Sequence, residues 1–439
     1  MADIATEYLS LSGARIIDTA PFNQVVFALC LLLSFVIATR FFQLEYGSKF
    51  SLPVAILFLN PFLLGNILYQ YDSLGMGLGV ILTVVAFVIV PKFEAFRFTY
   101  SVLILVIVLS LYQPLLNLLI GLCAIQIAVG AATTTSGVAF LRILTLRTTQ
   151  FVAGSLVYYI AIGLPLRDVI ARSDIVSLDV EGLQAAYLSA AHFLDFVLRF
   201  FQSESTAFLI FFCGFVGVGV ISVSTSIQRS ERRRIALFGF GLAAVVSVLS
   251  IFGPMILIEN VLVAYRTIPS STAPLAVLAV FIVRMRLAWP AAVLPLLIAV
   301  IVSFQTMAAY KSQRTYDLFV SGLVAADLNS ARKTKAEIFT FGAVPLAPHA
   351  QFSTDLHPMI HDLAAPAKHW VFEGLLIQHG LRNTVPLWSH QRPALEAHFA
   401  SLQCGEISVL STTDLFRILE SDQKIYVFLP NAPEFPCSK

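Results

Sequence analysis

Residues 98–132 read FTYSVLILVIVLSLYQPLLNLLIGLCAIQIAVGAA, apolar almost throughout and divided by Tyr112-Gln113-Pro114. About 20 helical residues cross about 30 Å of hydrocarbon. The run is therefore two spans, 98–113 and 114–132, joined by a proline turn whose freed carbonyls neighbouring helices can satisfy. Working outward, apolar segments at 22–40, 51–70, 74–91, 150–166, 205–225, 235–253, 272–285 and 288–308 raise the count to about ten spans. The shorter ones require tilt or support from other helices. Segment 51–70, interrupted by Asn60-Pro61 and Gly65-Asn66, also fits a re-entrant element. Composition agrees: 58% of residues are hydrophobic, 12% are charged, and mean hydropathy is +0.83, outside the soluble range.

A net charge of +2 says little about partners, but its distribution orients the stack. One set of alternate connections carries Arg40, Lys49, Lys92, Arg97, Arg142, Arg147, Arg229, Arg232, Arg233, Arg234, Arg284 and Arg286. The other carries far fewer basic residues and most of the acids, among them Asp3, Asp18, Asp72, Asp168, Asp174, Asp179 and Glu259. By the positive-inside rule the first set is cytoplasmic. Both the N-terminus and the C-terminal tail are then expected outside. Residues 1–21 show no basic region followed by an apolar core, so no signal peptide is expected there. Either a short tail crosses unaided or a further span precedes it. The basic run 229–234 is short and lies between two spans, which fits anchorage at a lipid surface and not nucleic-acid binding.

Beyond Tyr310 the composition turns polar. Residues 310–335 read as an amphipathic helix and 337–344 as a strand; 356–379 read as mostly helix. Helices near 391–402 and 413–421 and strands at 407–410 and 424–429 complete the expectation. The fold class is thus mainly α, a polytopic helical membrane protein with a small C-terminal extracytoplasmic α/β domain. Its expected parts are 1–21, 22–308 and 309–439. Cys30, Cys123 and Cys213 sit in apolar spans as small hydrophobes. Cys404 and Cys437 in the tail form either a disulfide, given an oxidising compartment, or two unpaired thiols. His357 and His361 are four apart and fit one helix face, but no HExxH acid lies between them and no zinc spacing appears. No metal site is expected. The cofactor expectation is none, with Mg or Mn at the acidic loop 167–204 as the one candidate ion. No P-loop, dinucleotide turn or GxSxG motif is present, which argues against an ATP-driven pump and a nucleophile-elbow hydrolase.

Ionisable groups at a membrane boundary are costly unless paired or functional. Tyr69-Gln70-Tyr71-Asp72-Ser73 sets a carboxylate among aromatics that can stack on a sugar, with Asp72 placed as a general base. The competing reading is an aspartate N-cap beside interfacial tyrosines. Tyr112-Gln113 ends a span on the same side, either as a simple turn or as part of a shared pocket. Glu259-Asn260 and Tyr265-Arg266 lie in an apolar surface segment. Arg266 offers a planar fork for phosphate oxygens, or it snorkels at the interface.

Tyr71-Asp72-Ser73 followed by Gly75-Met76, Tyr112-Gln113 at a span end, the Arg266 region, and Gly342-Ala343-Val344-Pro345 after a strand together resemble the bacterial serotype-converting glucosyltransferases, the type II Gtr proteins. The resemblance implies a GT-C-like, inverting enzyme. It would take a sugar, glucose by the family's name, from a polyprenyl-phosphate donor and pass it to O-antigen or another surface glycan at the periplasmic face of the bacterial inner membrane. Asp3 matches the second aspartate of the family's external loop, whose first aspartate and preceding span lie outside this sequence. Asp72 and Asp3 are then the candidates to activate the acceptor. Arg266 holds the donor phosphate, and Tyr69, Tyr71, Tyr112, Gln113 and Glu259 line the substrate site. In the tail Trp370, with Glu373 and Trp388, is the acceptor-side candidate. Expected partners are the lipid-linked donor, the glycan acceptor and the bilayer, with no nucleic acid. The alternative is a lipid-linked glycan flippase. That reading calls for ionisable groups at mid-span, whereas the acids here cluster on one side.

Overall fold

The computed structural model describes residues 21–69, 72–89, 95–133, 137–165, 175–177, 179–202, 204–230, 232–259, 261–285, 288–333, 336–368, 370–385, 397, 407–421 and 424–432. Two compact units divide the chain, Met1–Ser303 and Phe304–Lys439.

The first unit is built of helices: α1 Phe22–Tyr46, α2 Ser51–Phe58, α3 Leu64–Leu68, α4 Ser73–Ile89, α5 Ala95–Leu111, α6 Leu115–Thr133, α7 Gly137–Tyr158, α8 Val180–Leu198, α9 Thr206–Arg229, α10 Arg233–Phe252 and α11 Ala273–Ile282. Helix α12, Leu294–Ser330, begins here. In α1 the stripe Asn23, Phe27, Cys30, Ser34, Ala38 and Phe41 is buried, while Leu29, Leu32, Leu33 and Val36 are exposed. Small and polar groups inside with bare aliphatic groups outside reverse the soluble pattern and suit a lipid surround. Helix α6 is nearly wholly buried and forms the centre of the bundle.

Among the described residues five helices are long and apolar enough to cross a membrane: Phe22–Tyr46, Leu115–Thr133, Thr206–Arg229, Arg233–Leu257 and Trp289–Ser330. Segment 51–70 is a pair of helices, Ser48–Phe58 and Pro61–Leu68, bent by 43° at Asn60-Pro61, and counts as a sixth if it is one broken span. Ser73–Ile89, Ala95–Leu111 and Ala273–Ile282 are apolar but shorter. Pro114 does follow the end of α5, Ala95–Leu111, and Tyr112, Gln113 and Pro114 accept the first backbone bonds of α6.

Residues 133–149, expected as a connection, are largely helical in α7, and Arg147 is buried inside the bundle. Its Nε donates to Gln126 Oε1 at 2.7 Å, and Nη1 donates to the Phe87 carbonyl at 2.8 Å and to Gln150 Oε1 at 2.9 Å. Its plane lies 3.8 Å from the Phe87 ring centroid. Gln150 in turn donates to the Ala86 carbonyl at 2.9 Å. The arginine thus sits on the last carbonyls of α4, where the helix dipole favours a cation. Position alone in the charge pattern conceals this, because an arginine beside a short apolar run reads as a surface charge.

The second unit continues α12 and adds β1 Glu337–Phe341, α13 Pro348–Leu356, α14 Met359–Leu363, α15 Trp370–Gln378, β2 Ser408–Thr412, β3 Arg417–Ser421 and β4 Lys424–Phe428. The sheet order is β1-β4-β3-β2, with β1 parallel to β4 and the other pairs antiparallel. Alternation sorts its two faces. Ile338, Ile425 and Val427 pack with Val320, Val324, Leu328, Phe372 and Leu376 of the helices. Phe339, Phe341, Tyr426 and Phe428 form an aromatic layer on the other face, Phe341 and Phe428 stacking at 4.9 Å. The helix expected at 413–421 is instead strand β3. Pairing with β4 decides it, since Ile418 and Leu419 fall on opposite buried faces. Pro358 separates α13 from α14, so His357 and His361 do not share one helix. The helix expected at 391–402 and the Cys404–Cys437 pairing lie outside the described residues.

Candidate functional site

Between α10 and α11 the chain leaves regular structure, running through a short 3-10 turn at Gly253–Leu257 and another at Tyr265–Thr267. Much of 265–273 is buried nonetheless. Buried carbonyls outside helices need donors, and neighbouring helix ends supply them as side chains. Asn60 Nδ2 donates to the Pro269 carbonyl at 3.2 Å, and Asn117 Nδ2 donates to Thr267 O at 3.2 Å. Thr272 Oγ1 donates to Ile56 O at 2.9 Å, tying the segment back to α2. The Arg266 carbonyl receives two bonds, from the Tyr112 hydroxyl at 2.9 Å and from Asn66 Nδ2 at 3.3 Å. Thr267 Oγ1 closes the turn by accepting from Ala264 N at 3.1 Å.

Close approach completes the clamp. A methyl placed on Gly65 would meet the Arg266 nitrogen and Tyr265 Cβ at 2.8 Å. The bare α-carbon lets α3 lie directly on the segment. The Tyr265 ring packs against Phe196 at 4.6 Å and stacks on Phe62 at 5.7 Å. With its backbone fixed, Arg266 lays its guanidinium 3.9 Å from the Tyr69 ring centroid. Such a stack contributes about 0.5–2 kcal/mol and leaves the edge of the fork open. The guanidinium makes no hydrogen bond or ion pair among the described residues. Tyr112 feels the opposed charges of Arg266 and Asp72. Asp72 stands at the turn before α4 and accepts from Met76 N through its carbonyl at 3.0 Å.

Tyr69, Asp72, Tyr112 and Arg266 are therefore brought together. Gln113, next to Tyr112, turns instead to the Tyr158 hydroxyl at 2.8 Å. Glu259 is exposed and makes no hydrogen bond or ion pair among the described residues. Asp3, Tyr71 and Trp388 lie outside the described residues. Trp370 begins α15, and Glu373 on the same helix is only 1% exposed, accepting from Thr340 Oγ1 at 2.8 Å. A glutamate so buried serves the core of the second unit and not its surface. Among the described residues no three His, Cys, Asp or Glu side chains gather as a metal-ligand set.

Sequence reasoning missed Asn66, Asn117 and Gly65, which hold the arginine in place. An isolated amide in an apolar run is the signal that would have found them. A cavity of about 450 Å³ lies elsewhere, lined by Arg229 and Arg284 among others, and shares no residue with this cluster. Chemically the cluster pairs an open guanidinium with a carboxylate and two aromatic rings, which suits a substrate that is both anionic and sugar-like.

No solved structure matches the chain. Over 111 residues it is 29% identical to a Salmonella phage P22 protein described as an uncharacterized 55.3 kDa protein in the gtrB 5′ region. That match covers 25% of this chain and 23% of the phage protein, so the alignment spans about a quarter of each. The glucosyl transferase GtrII family matches residues 3–283, which takes in the whole Arg266 cluster and most of the first unit. With well over half its length matched, this chain belongs to the glucosyl transferase GtrII family.

Proposed function

We propose that this protein is a membrane glucosyltransferase that moves glucose from a polyprenyl-phosphate donor to O-antigen or a related surface glycan on the periplasmic face of the bacterial inner membrane. Family membership supports the transferase class. One observation carries the finer reading: an Arg266 guanidinium fixed over Tyr69, with no bond of its own among the described residues, beside a Tyr112 that the charges of Arg266 and Asp72 both reach. A planar fork of that kind matches two phosphate oxygens.

In this mechanism the acceptor hydroxyl oxygen attacks the anomeric carbon as the bond from that carbon to the phosphate oxygen breaks. The electron pair leaves on polyprenyl phosphate, where Arg266 stabilises the added charge. Asp72 takes the hydroxyl proton and later returns it to water. Asp3 is the second candidate for that proton. Attack opposite the leaving phosphate inverts the anomeric centre. Tyr69, Tyr71 and Tyr112 offer ring faces and hydroxyls to the sugar, and Gln113 orients Tyr158 at the rim. The topology that goes with this reading has about ten spans over 22–308 and a periplasmic domain over 309–439, where Trp370 contributes to the acceptor side. The basic connections then face the cytoplasm.

The test is transfer by purified protein in lipid, supplied with labelled polyprenyl-phosphate sugars and native surface glycan. Asp72→Asn and Arg266→Gln should each lower turnover by about a hundredfold or more. The intact protein transferring no label from any donor, or Asp72→Asn turning over normally, would remove the reading or the residue respectively.

A further inference from the structure

At the end of the first unit opposite Tyr112, helices α6, α9, α10 and α11 diverge around the cavity of about 450 Å³. Helix α6 starts beside Tyr112 and reaches the cavity at Ala131, so the rise from Leu115 to Ala131 separates the two places by about 24 Å. Arg229, the last residue of α9, and Arg284, just past α11, both line the cavity. Among the described residues neither guanidinium makes a hydrogen bond or ion pair, and no carboxylate lines the cavity.

The hydroxyls divide according to what they already do. Thr225 spends its hydrogen on the Ile221 carbonyl at 2.8 Å. Ser230 accepts from Arg232 N at 3.3 Å, which leaves its O–H to donate. Ser226 makes no hydrogen bond among the described residues. Two guanidiniums and two hydroxyls are therefore donors that share one space, with no side-chain carboxylate among its described lining residues. An arginine at a helix C-terminus by itself only balances the dipole, about half a charge. Two whole charges against two such ends leave the described lining net positive, and neither side chain bonds a terminal carbonyl among the described residues.

The remaining wall, including Phe281 and Met285, is apolar. On α9 the exposed face at Val220 and Ile221 is aliphatic and ends one turn before Thr225. A lipid-facing surface thus runs up to a donor-rich recess, and its size falls in the range of about 300–1,000 Å³ usual for ligand sites.

We propose that this recess binds the phosphate of an anionic lipid headgroup, at the opposite end of the bundle from Arg266 and independently of any transfer reaction. The phosphate oxygens meet Arg229, Arg284, Ser226 and Ser230, while the chains follow the aliphatic face of α9.

The experiment is native mass spectrometry of the delipidated full chain, titrated with dioleoyl phosphatidylglycerol, dioleoyl phosphatidylcholine or inorganic phosphate. Phosphatidylglycerol should bind about thirtyfold more tightly than phosphatidylcholine, as two arginines at an anionic headgroup imply. Arg229→Gln with Arg284→Gln should erase that preference, and the paired lysine variants should keep most of it. Equal binding of the two lipids, or a preference untouched in the double glutamine variant, would overturn the site. Inorganic phosphate binding as tightly as phosphatidylglycerol would overturn the lipid assignment. Thermal melting and gel filtration of each variant separate lost binding from lost folding.

Discussion

Gly65→Ala puts one methyl group against the backbone that carries Arg266. The new carbon would sit 2.8 Å from both the Arg266 nitrogen and Tyr265 Cβ, whereas non-bonded carbons rest about 3.5–4.0 Å apart. Backbone lies on the receiving side, so relief requires the Tyr265–Thr267 turn to move by about 1 Å. Overpacking of this kind costs about 1–3 kcal/mol, while alanine for glycine within α3 returns up to about 1 kcal/mol. Net stability should therefore fall by no more than about 3 kcal/mol, short of unfolding the bundle. Turnover should respond more strongly, since a misplacement of about 1 Å at a positioning group can cost about a hundredfold. The assay is the transfer reaction run beside thermal melting in detergent. Gly217→Ala in α9 is the matched control, because a methyl there meets nothing within 4 Å. Tyr112→Phe gives a second, sterically silent route to the same place, removing the hydroxyl that donates to the Arg266 carbonyl at 2.9 Å. Wild-type turnover in both Gly65→Ala and Tyr112→Phe would refute the idea that the arginine must be held where it is.

Arg147→Leu should destabilise the first unit by about 2–3 kcal/mol, read as a lower melting temperature in detergent. It orphans the acceptors Gln126 Oε1, Gln150 Oε1 and Phe87 O, partly offset by removal of a buried charge; an unchanged melting point would show the network is idle. In the second unit, burial raises the Asp317 carboxyl above its ordinary 3.8 despite bonds from Gln313 and the Ala367 nitrogen. The native state then holds a proton that the unfolded chain has released, so this contribution is fully present below pH 3.8 and is lost as pH rises through the raised value. Asp317→Asn should flatten that part of the pH–stability curve, and an unaltered curve would exclude Asp317 as its source. His357 works in the other direction: burial lowers it below 6.5, so stability present above that pH is lost as pH falls through the depressed value. Denaturant midpoints taken between pH 7 and 5 should fall in the intact protein and stay level in His357→Gln.

The apolar runs were legible because their composition can be satisfied in few ways. The break at Asn60-Pro61 was visible for the same reason, as a proline and an amide have no business in a plain span. Tyr69, Asp72, Tyr112 and Arg266 could be chosen as polar groups at helix ends, but nothing local says that residues 66, 112 and 117 all serve the backbone at 266 and 267. Those bonds join positions 150 to 200 apart in the chain, and separation of that order leaves no mark on periodicity. Arg147 failed as a surface charge because the α4 carbonyl and dipole and the Gln126 amide that receive it come from other elements, and Gln150, one turn on, reads as an ordinary polar neighbour. Residues 413–421 failed for a related reason. Their strand exists through pairing with β4, and hydrophobic spacing over nine residues does not separate that from a short helix.

The clamp around Arg266 has a consequence for assembly. Chains are made from the N-terminus, so the amides of Asn60, Asn66 and Asn117 reach the bilayer long before the carbonyls of Arg266, Thr267 and Pro269 exist. The longest of these partnerships waits 209 residues. Until then Asn60 and Asn66 have only their local acceptors, the Leu57 carbonyl and Met76 Sδ. Both acceptors of the Asn117 amide, Ile251 O and Thr267 O, are still to come, in a medium that offers no water. Closure of the site is thus a late event that the early helices cannot complete among themselves, and a nascent chain advertises its incompleteness most plainly by the unanswered amide of Asn117. A chain stopped before Ala264 should be cleared by membrane quality control faster than one stopped after Val283, and equal lifetimes would show that the early helices settle without the segment they were built to hold.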